Sequence, residues 1–143
     1  MREQATAADQ GGLVDALVQG AFEIFAVLGR ISAENDLSLT LLRVLAILRD
    51  RRLRMTALAE YLGLEKSTMT GLVDRAEKRG LLMRAPNAAD GRAVDVLISP
   101  EGAALADRLY LEIVRSLSPL TEALTAADQH LLQTLLERML SHT

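Results

Sequence analysis

The chain has 143 residues, about the length of one domain; half of them are apolar, and the formal net charge is −3. It has no cysteine and only two histidines, His130 and His142, which excludes disulfides and thiolate sites and makes a protein-built metal site improbable, so we expect no cofactor. No apolar run reaches the roughly 20 residues that span a bilayer, and the N-terminus lacks a signal-peptide core, so we expect a soluble cytoplasmic protein.

The charge is unevenly distributed along the chain. Residues 49–95 contain 10 of the 16 basic residues and 7 of the 19 acidic ones, a local balance of +3, while the rest of the chain has a balance of −6. This asymmetry predicts a positive surface on one part of the fold.

The pattern of apolar residues predicts a mainly α-helical protein with one small β-hairpin. A polar N-terminal segment, residues 1–11, is expected to be disordered and to precede a single domain over residues 12–143. Apolar spacing of three and four predicts helices over residues 13–32, 39–50, 56–62, 66–79, 100–116 and 126–141. Ser38 and Thr125 are expected to cap helix starts, Gly63 to end a helix, and Pro119 to interrupt one. Residues 81–84 and 94–98 are predicted to form a two-stranded hairpin.

The predicted helix over residues 66–79 has two different faces. Its apolar face consists of Met69, Leu72, Val73 and Ala76. Small hydroxyl residues, glycine and basic residues occupy the other face, which suits a helix that reads base edges in a DNA major groove. Gly71 costs about 1 kcal/mol of helix propensity, and close approach to DNA is one reason to keep it. The simpler alternative is an ordinary amphipathic surface helix.

Asp74 lies on the same polar face, where an acid is unfavourable for binding DNA. It either forms a local pair with Arg75 or Lys78 or accepts a hydrogen bond from a cytosine amino group. The sequence leaves both alternatives open.

The hairpin loop carries arginine on a flexible segment. An arginine such as Arg92 can enter a narrow minor groove, and Asp90 can orient its guanidinium through a bidentate pair. Alternatively, Asp90 and Gly91 form a simple turn and Arg92 is a solvated charge.

The order of these elements resembles the MarR family of winged helix-turn-helix transcription regulators. The resemblance extends from Leu13 to Leu140 and is carried by LAEYLGLEKSTMTGLVDRAEKRGLLMR and DGRAVDVLISPEG. It implies a homodimeric repressor with dimerisation helices at residues 12–36 and 99–143 and a DNA-binding lobe at residues 38–98. The DNA-binding residues are then expected to be Lys66, Ser67, Thr68, Thr70, Gly71, Arg75, Lys78, Arg84, Asp90 and Arg92.

The terminal helices carry leucine-rich stripes with too little remaining chain to cover them, which itself predicts a second subunit. The expected dimer contacts are Leu13, Leu17, Leu109, Ile113, Leu131, Leu135 and Met139. Two-fold symmetry in turn predicts a pseudo-palindromic operator on double-stranded DNA.

The resemblance also implies a small aromatic or acidic effector whose binding releases DNA. Candidate ligand-binding residues are Phe22, Phe25, Arg30, Arg43 and Arg49, although core or dimer contacts are the favoured explanation for both phenylalanines. Because no catalytic motif is present, an enzyme is not expected. The alternative function is a winged-helix module that binds protein without binding DNA.

Overall fold

The computed structural model describes residues 2–143, with side chains from Gln10 onward. The prediction of a mainly α-helical protein is confirmed, and the order of the described helices and strands is that of a winged helix. They are α1 (Arg2–Glu34), α2 (Leu39–Leu48), β1 (Leu53–Arg54), α3 (Met55–Leu62), α4 (Lys66–Lys78), β2 (Leu82–Pro86), β3 (Val94–Ile98), α5 (Pro100–Thr121) and α6 (Ala126–Leu140). The chain divides into two compact units, one formed by residues up to Val27 with Glu112–Thr143, and the other by Leu28–Leu111.

The unit Leu28–Leu111 contains the buried core. Its largest fully buried side chains come from four helices and both longer strands, namely Ile31, Val44, Leu45, Leu48, Leu58, Met69, Val73, Leu82 and Val96. Ser38 caps α2 as predicted, because its Oγ accepts the Leu41 amide at 3.0 Å. The helix-turn-helix is therefore built on a core that spans the whole unit.

The turn between α3 and α4 is set by Gly63. This residue has a φ of 66°, and its amide donates to the carbonyls of Ala59 and Glu60, which confirms the predicted helix end. Within α3, Met55, Leu58 and Ala59 are buried, whereas Ala57 is exposed.

The sheet has three antiparallel strands in the order β1-β3-β2, so the predicted two-stranded hairpin is incomplete. The additional strand pairs Leu53 with Val96 and Arg54 with Asp95. We call β2, β3 and the loop between them, residues 82–98, the wing. The pairing of β2 with β3 extends to Pro86 opposite Val94, two residues beyond the predicted end of β2 at Arg84.

Ser99 and Gly102 join the wing to α5. The Ser99 hydroxyl donates to the carbonyl of Gly80 and accepts the Gly102 amide at 2.9 Å. A Cβ on Gly102 would overlap the carbonyl oxygen of Leu81, so only glycine permits this close approach. The start of α5 is thereby fixed against the segment that links α4 to β2.

Helix α5 continues to Thr121, so the prediction that it ends near Ser116 because of Pro119 is wrong. A proline removes the amide that would bond to the carbonyl four residues earlier, here that of Arg115. The Ser118 hydroxyl donates to this carbonyl at 3.1 Å instead. The last turn of the helix is therefore compatible with proline.

The other unit leaves most of its apolar side chains exposed. Helix α6 has no buried residue, although its start is capped as predicted by Thr125, whose Oγ1 accepts the Asp128 amide at 3.1 Å. Helix α1 begins at Arg2, so residues 2–11 are helical where a disordered segment was predicted; Met1 lies outside the described residues. Alanine, glutamate and glutamine in this segment are good helix formers, which the prediction undervalued.

The expectation that no apolar run is long enough to span a bilayer needs correction for the segment Gln10–Glu34 of α1. It is 25 residues long with a mean hydropathy of 1.5 in its best window, so length and composition alone would allow a membrane span. At 100° per residue, however, Asp15, Gln19, Glu23 and Arg30 lie within about 80° of one another. This polar stripe makes the helix amphipathic rather than apolar on all sides.

Candidate nucleic-acid interface

The apolar face of α4 is buried and its polar face is exposed, as predicted. Met69, Val73 and Ala76 are fully buried, and Leu72 is 8% exposed. On the other side, the predicted DNA-binding residues Ser67 and Thr68 are exposed, whereas Thr70 and Gly71 are partly exposed. The N-cap residue of α4 is Glu65, whose side chain makes no capping hydrogen bond. The exposed side of the N-terminal half of α4 thus carries small polar residues, and its first amides have no capping side chain.

Three basic residues of α4 are exposed and have no acidic partner among the described side chains. Lys66, Arg75 and Lys78 form no ion pair with any residue whose side chain the structure describes. Arg75 and Lys78 lie in the last turns of the helix, where the helix dipole favours positive charge. Their charges remain available to an anionic partner.

Asp74 pairs with an arginine of the wing, which neither alternative from the sequence included. Its Oδ1 accepts a hydrogen bond from Nη2 of Arg84. Oε2 of Glu77, one turn further along α4, lies 3.8 Å from Nε of the same arginine. Arg84, predicted to bind DNA, is thus held between two acids of α4, and strand β2 is tied to that helix.

The tip of the wing is shaped by side chains that bond to its own backbone. The Asn87 side-chain oxygen accepts the amides of Ala89 and Asp90, each at 3.0 Å. The Asp90 carboxylate accepts the Arg92 amide at 3.1 Å. The hypothesis that Asp90 holds the Arg92 guanidinium is therefore wrong, because its oxygen completes a backbone turn instead.

Arg92 is exposed at this tip. Its guanidinium has no ion pair or hydrogen bond to the described side chains. Together with Lys66, Thr70 and Arg84 of the predicted set, it lines an open cleft of about 280 Å³ between α4 and the wing. The structure therefore brings these four predicted residues to one site.

A buried carboxylate at the base of the wing was not predicted. Asp95 alternates with apolar residues along β3, a pattern that would place it outward, yet it is only 4% exposed. Its two oxygens accept hydrogen bonds from Nδ2 of Asn87 at 2.8 Å and from Nε of Arg52 at 2.9 Å. These bonds and the Arg52 charge lower the pKa of Asp95, with the Asn87 bond first, against the opposing effect of burial.

Two arginines of the segment before α3 complete this network. Arg52 also donates to the carbonyl of Pro86 at 3.3 Å, and Arg54 donates to the Asn87 side-chain oxygen at 3.3 Å. The only signal in the sequence was the spacing of two between these arginines, which places both on one side of a strand. Arg52 and Arg54 thus contribute to wing structure as well as to surface charge.

The residues predicted to bind a ligand are not brought together by any described contact. Phe22 and Phe25 are exposed in the unit that contains α6. In the other unit, Arg30 pairs with Glu34, Arg43 stacks over Tyr61, and Arg49 bonds to Asp107 and stacks over Tyr110. The ligand site remains a prediction.

One residue predicted to contact a second subunit, Leu109, is instead buried within its own subunit. It is 2% exposed, in the core of Leu28–Leu111, so it has no surface to offer a partner, and Ile113 is half-buried. The remaining members are exposed, namely Leu13, Leu17, Leu131, Leu135 and Met139. The prediction failed for Leu109 because the whole apolar stripe of α5 was assigned to the dimer interface, although Leu109 packs into the core of its own unit.

Comparison with known proteins agrees with this geometry. The model of the MarR family matches residues 37–94. The HTH-type transcriptional regulator PecS of Dickeya dadantii (strain 3937) is 27% identical over 134 residues, covering 91% of this chain and 81% of PecS. A variant of MarR from E. coli, solved in complex with operator DNA, is 25% identical with a TM-score of 0.67 and covers 91% of this chain and 92% of that one. NadR, solved in complex with 4-hydroxyphenylacetate, has a TM-score of 0.73 at 23% identity and covers 87% and 89%, a similarity of fold.

Proposed function

We propose that this chain is a winged helix-turn-helix transcription regulator of the MarR family. In this proposal it binds double-stranded DNA sequence-specifically as a homodimer and represses transcription until a small molecule releases it. Helix α4 is the recognition helix in this proposal and lies in a major groove. Arg92 at the wing tip enters the adjacent minor groove.

The observation that carries this proposal is a set of cations around one cleft that have no acidic partner in the part of the chain whose side chains are described. Lys66 and Arg92 line the cleft, and Arg75 and Lys78 extend the positive surface along α4. Phosphate oxygens are the natural partners of such cations, because their neutralisation releases counterions. The hydroxyls of Ser67, which is exposed, and of Thr70, which is partly exposed, lie on the same side and can donate to or accept from base edges.

The proposed homodimer rests on the exposed apolar side chains of α1 and α6. Leu131, Leu135 and Met139 recur at helical spacing on α6 and are about half exposed. Burial of such stripes against a second copy would contribute roughly 25 cal/mol for each Å² of apolar surface. The polar stripe of α1 favours this partner over lipid, because a membrane span would expose Asp15 and Glu23 to hydrocarbon. We accordingly place the protein in the cytoplasm.

Leu135→Asp tests the dimer. The substituted carboxylate would be desolvated at a subunit interface, so the molecular mass in solution is expected to fall from that of a dimer to that of a monomer. Glu137→Asp is the matched control, because it keeps an acid on the same helix. A wild-type protein that is itself monomeric would refute the dimer.

The proposed effector is a small aromatic or acidic molecule. NadR was solved with 4-hydroxyphenylacetate, which has this chemistry. Release of DNA by benzoate and hydroxybenzoate derivatives, measured by fluorescence anisotropy, tests this part. Retention of DNA with every compound of this class would refute it.

DNA binding is tested with a duplex that the wild-type protein selects from a random-sequence library. Affinity is measured by fluorescence anisotropy over a range of salt concentrations, for the wild type, Lys78→Gln and the control Arg138→Gln in α6. We expect binding that weakens with salt, a smaller salt slope for Lys78→Gln, and no change for Arg138→Gln. An intact dimer that binds no duplex in a salt-dependent manner would refute DNA binding and favour the winged-helix protein-interaction module.

A further inference from the structure

Arg84 differs from the other cations around the cleft because it has acidic partners. Asp74 accepts a hydrogen bond from its guanidinium, and Glu77 lies 3.8 Å from it. None of these three side chains is buried, since 33% of Arg84, 48% of Asp74 and 44% of Glu77 is exposed. An arginine that lines the cleft is thus occupied by acids that belong to α4 itself.

Exposed pairs of this kind contribute little to stability, because water screens the charges and both side chains lose conformational freedom. The pair has a larger consequence for binding. A phosphate that contacts Arg84 must displace Asp74, and it must approach an acid on the helix that enters the groove. Contact with Arg84 is therefore unfavourable wherever recognition-helix contacts to bases do not compensate for this cost.

We propose that Asp74 is a specificity-determining positioning residue, which holds Arg84 against α4 and so withholds this cation from non-specific phosphate contacts. The inference rests on the proposed DNA-binding function. Non-specific affinity comes from phosphate contacts alone, whereas specific affinity also includes contacts to bases. In the selected complex, contacts to bases compensate for the displacement of Asp74, and in the non-specific complex nothing does. Withholding this cation therefore lowers non-specific binding by a larger factor and raises the ratio between the two.

The test is a double-substitution cycle with Asp74→Asn and Arg84→Gln. Asp74→Asn keeps the size of the side chain and removes its charge, so Arg84 becomes available to phosphate. Glu65→Gln is the control, because Glu65 is an exposed acid at the start of α4 that has no hydrogen bond to Arg84. The probes are the selected duplex and a scrambled duplex of the same composition.

Asp74→Asn is expected to strengthen binding to the scrambled duplex roughly 60-fold at 0.1 M salt and to steepen the salt slope by about two, because a dimer releases two Arg84 side chains. It is also expected to reduce the ratio of selected to scrambled affinity. Glu65→Gln is expected to change this ratio much less. In the Arg84→Gln background, Asp74→Asn is expected to leave the salt slope unchanged, because no arginine is released.

Three results are informative. An equal effect of Asp74→Asn with and without Arg84 would overturn the inference, because Asp74 would then act only by repelling phosphate. An unchanged affinity ratio for Asp74→Asn would also overturn it. A wild-type protein that binds neither duplex would refute the proposed function itself, which separates that failure from the first two.

Discussion

Replacement of Gly71 by alanine adds one methyl group to the exposed side of α4 and is expected to change stability and DNA affinity in opposite directions. A mid-helix glycine is about 1 kcal/mol less favourable than alanine. The new Cβ would meet only Nη1 of Arg75, at 3.4 Å, and this end of a flexible side chain can move. The free protein therefore has no steric reason to keep glycine at this position, and Gly71→Ala is expected to raise the midpoint of thermal unfolding by about 4 °C.

The proposed complex with DNA does provide a steric reason to keep glycine at position 71. Gly71 lies between Ser67 and Asp74 on the side of α4 that faces the groove in our proposal, so a methyl group there would hold the helix away from the DNA. Loss of even one good base contact costs about 1–3 kcal/mol, so affinity for the selected duplex is expected to fall about five- to 150-fold.

Both quantities are measured on the same preparation, stability by circular dichroism on heating and affinity by fluorescence anisotropy. Gly29→Ala is the matched control, because Gly29 is a mid-helix glycine of α1 whose Cβ position has no described atom within 4 Å apart from its chain neighbours and the nearby helix backbone. It is expected to raise stability by a similar amount without changing affinity. Wild-type affinity for Gly71→Ala would show that this side of α4 does not approach DNA closely, and the assigned docking would then be wrong.

Three further predictions concern the wing and its attachment. Gly102→Ala places a Cβ onto the Leu81 carbonyl oxygen and 2.9 Å from Cγ1 of Ile98, so it is expected to lower the free energy of unfolding by about 1–3 kcal/mol in urea; an unchanged midpoint would mean that α5 moves freely. Arg92→Ala is expected to weaken binding more for duplexes with A·T-rich flanks than for G·C-rich ones, and equal losses would contradict minor-groove insertion. Because the pKa of Asp95 is lowered in the folded protein, its ionised form stabilises the fold above its ordinary pKa of 3.8, and this stabilisation is lost as the pH falls below that value. The difference in stability between wild type and Asp95→Asn is therefore expected to be constant above about pH 5 and to shrink below pH 3.8; a difference that changes between pH 5 and 7 would contradict this assignment.

The helices could be predicted from the sequence because their signals are local. The apolar positions of α4 recur within one turn, and the residues that cap α2 and end α3 lie next to the helix they terminate. Strand β1 has no comparable signal, since its two residues form a strand only by pairing with Val96 and Asp95, about 40 positions later. Local patterns contain no information about such a register.

In the candidate site, too, local features could be predicted from the sequence and long-range contacts could not. A helical wheel places Asp74 near Arg75 and Lys78, and it cannot show Arg84, which lies ten positions away on a strand. Alternation along β3 would place Asp95 outward, and it is buried because Arg52 and Asn87 satisfy its oxygens. Residue types and positions could thus be predicted, whereas the pairing of charges required the tertiary fold.

This pairing determines how strongly salt should affect DNA binding. Arg52, Arg54 and Arg84 are engaged within the lobe. Arg49 and Arg51 pair with Asp107 and Asp50, and Arg79 donates to the carbonyls of Asn35 and Asp36. This leaves Lys66, Arg75, Lys78 and Arg92 as the DNA-facing cations without acidic partners among the described side chains. A dimer has eight such side chains, so the slope of log affinity against log salt is expected to be no steeper than about −7. If all 10 basic residues of the segment 49–95 contacted phosphate, the slope would approach about −18. A measured slope well beyond −7 would show that the internal pairs open on DNA, and the assignment of Arg52 and Arg54 to wing structure would then be wrong.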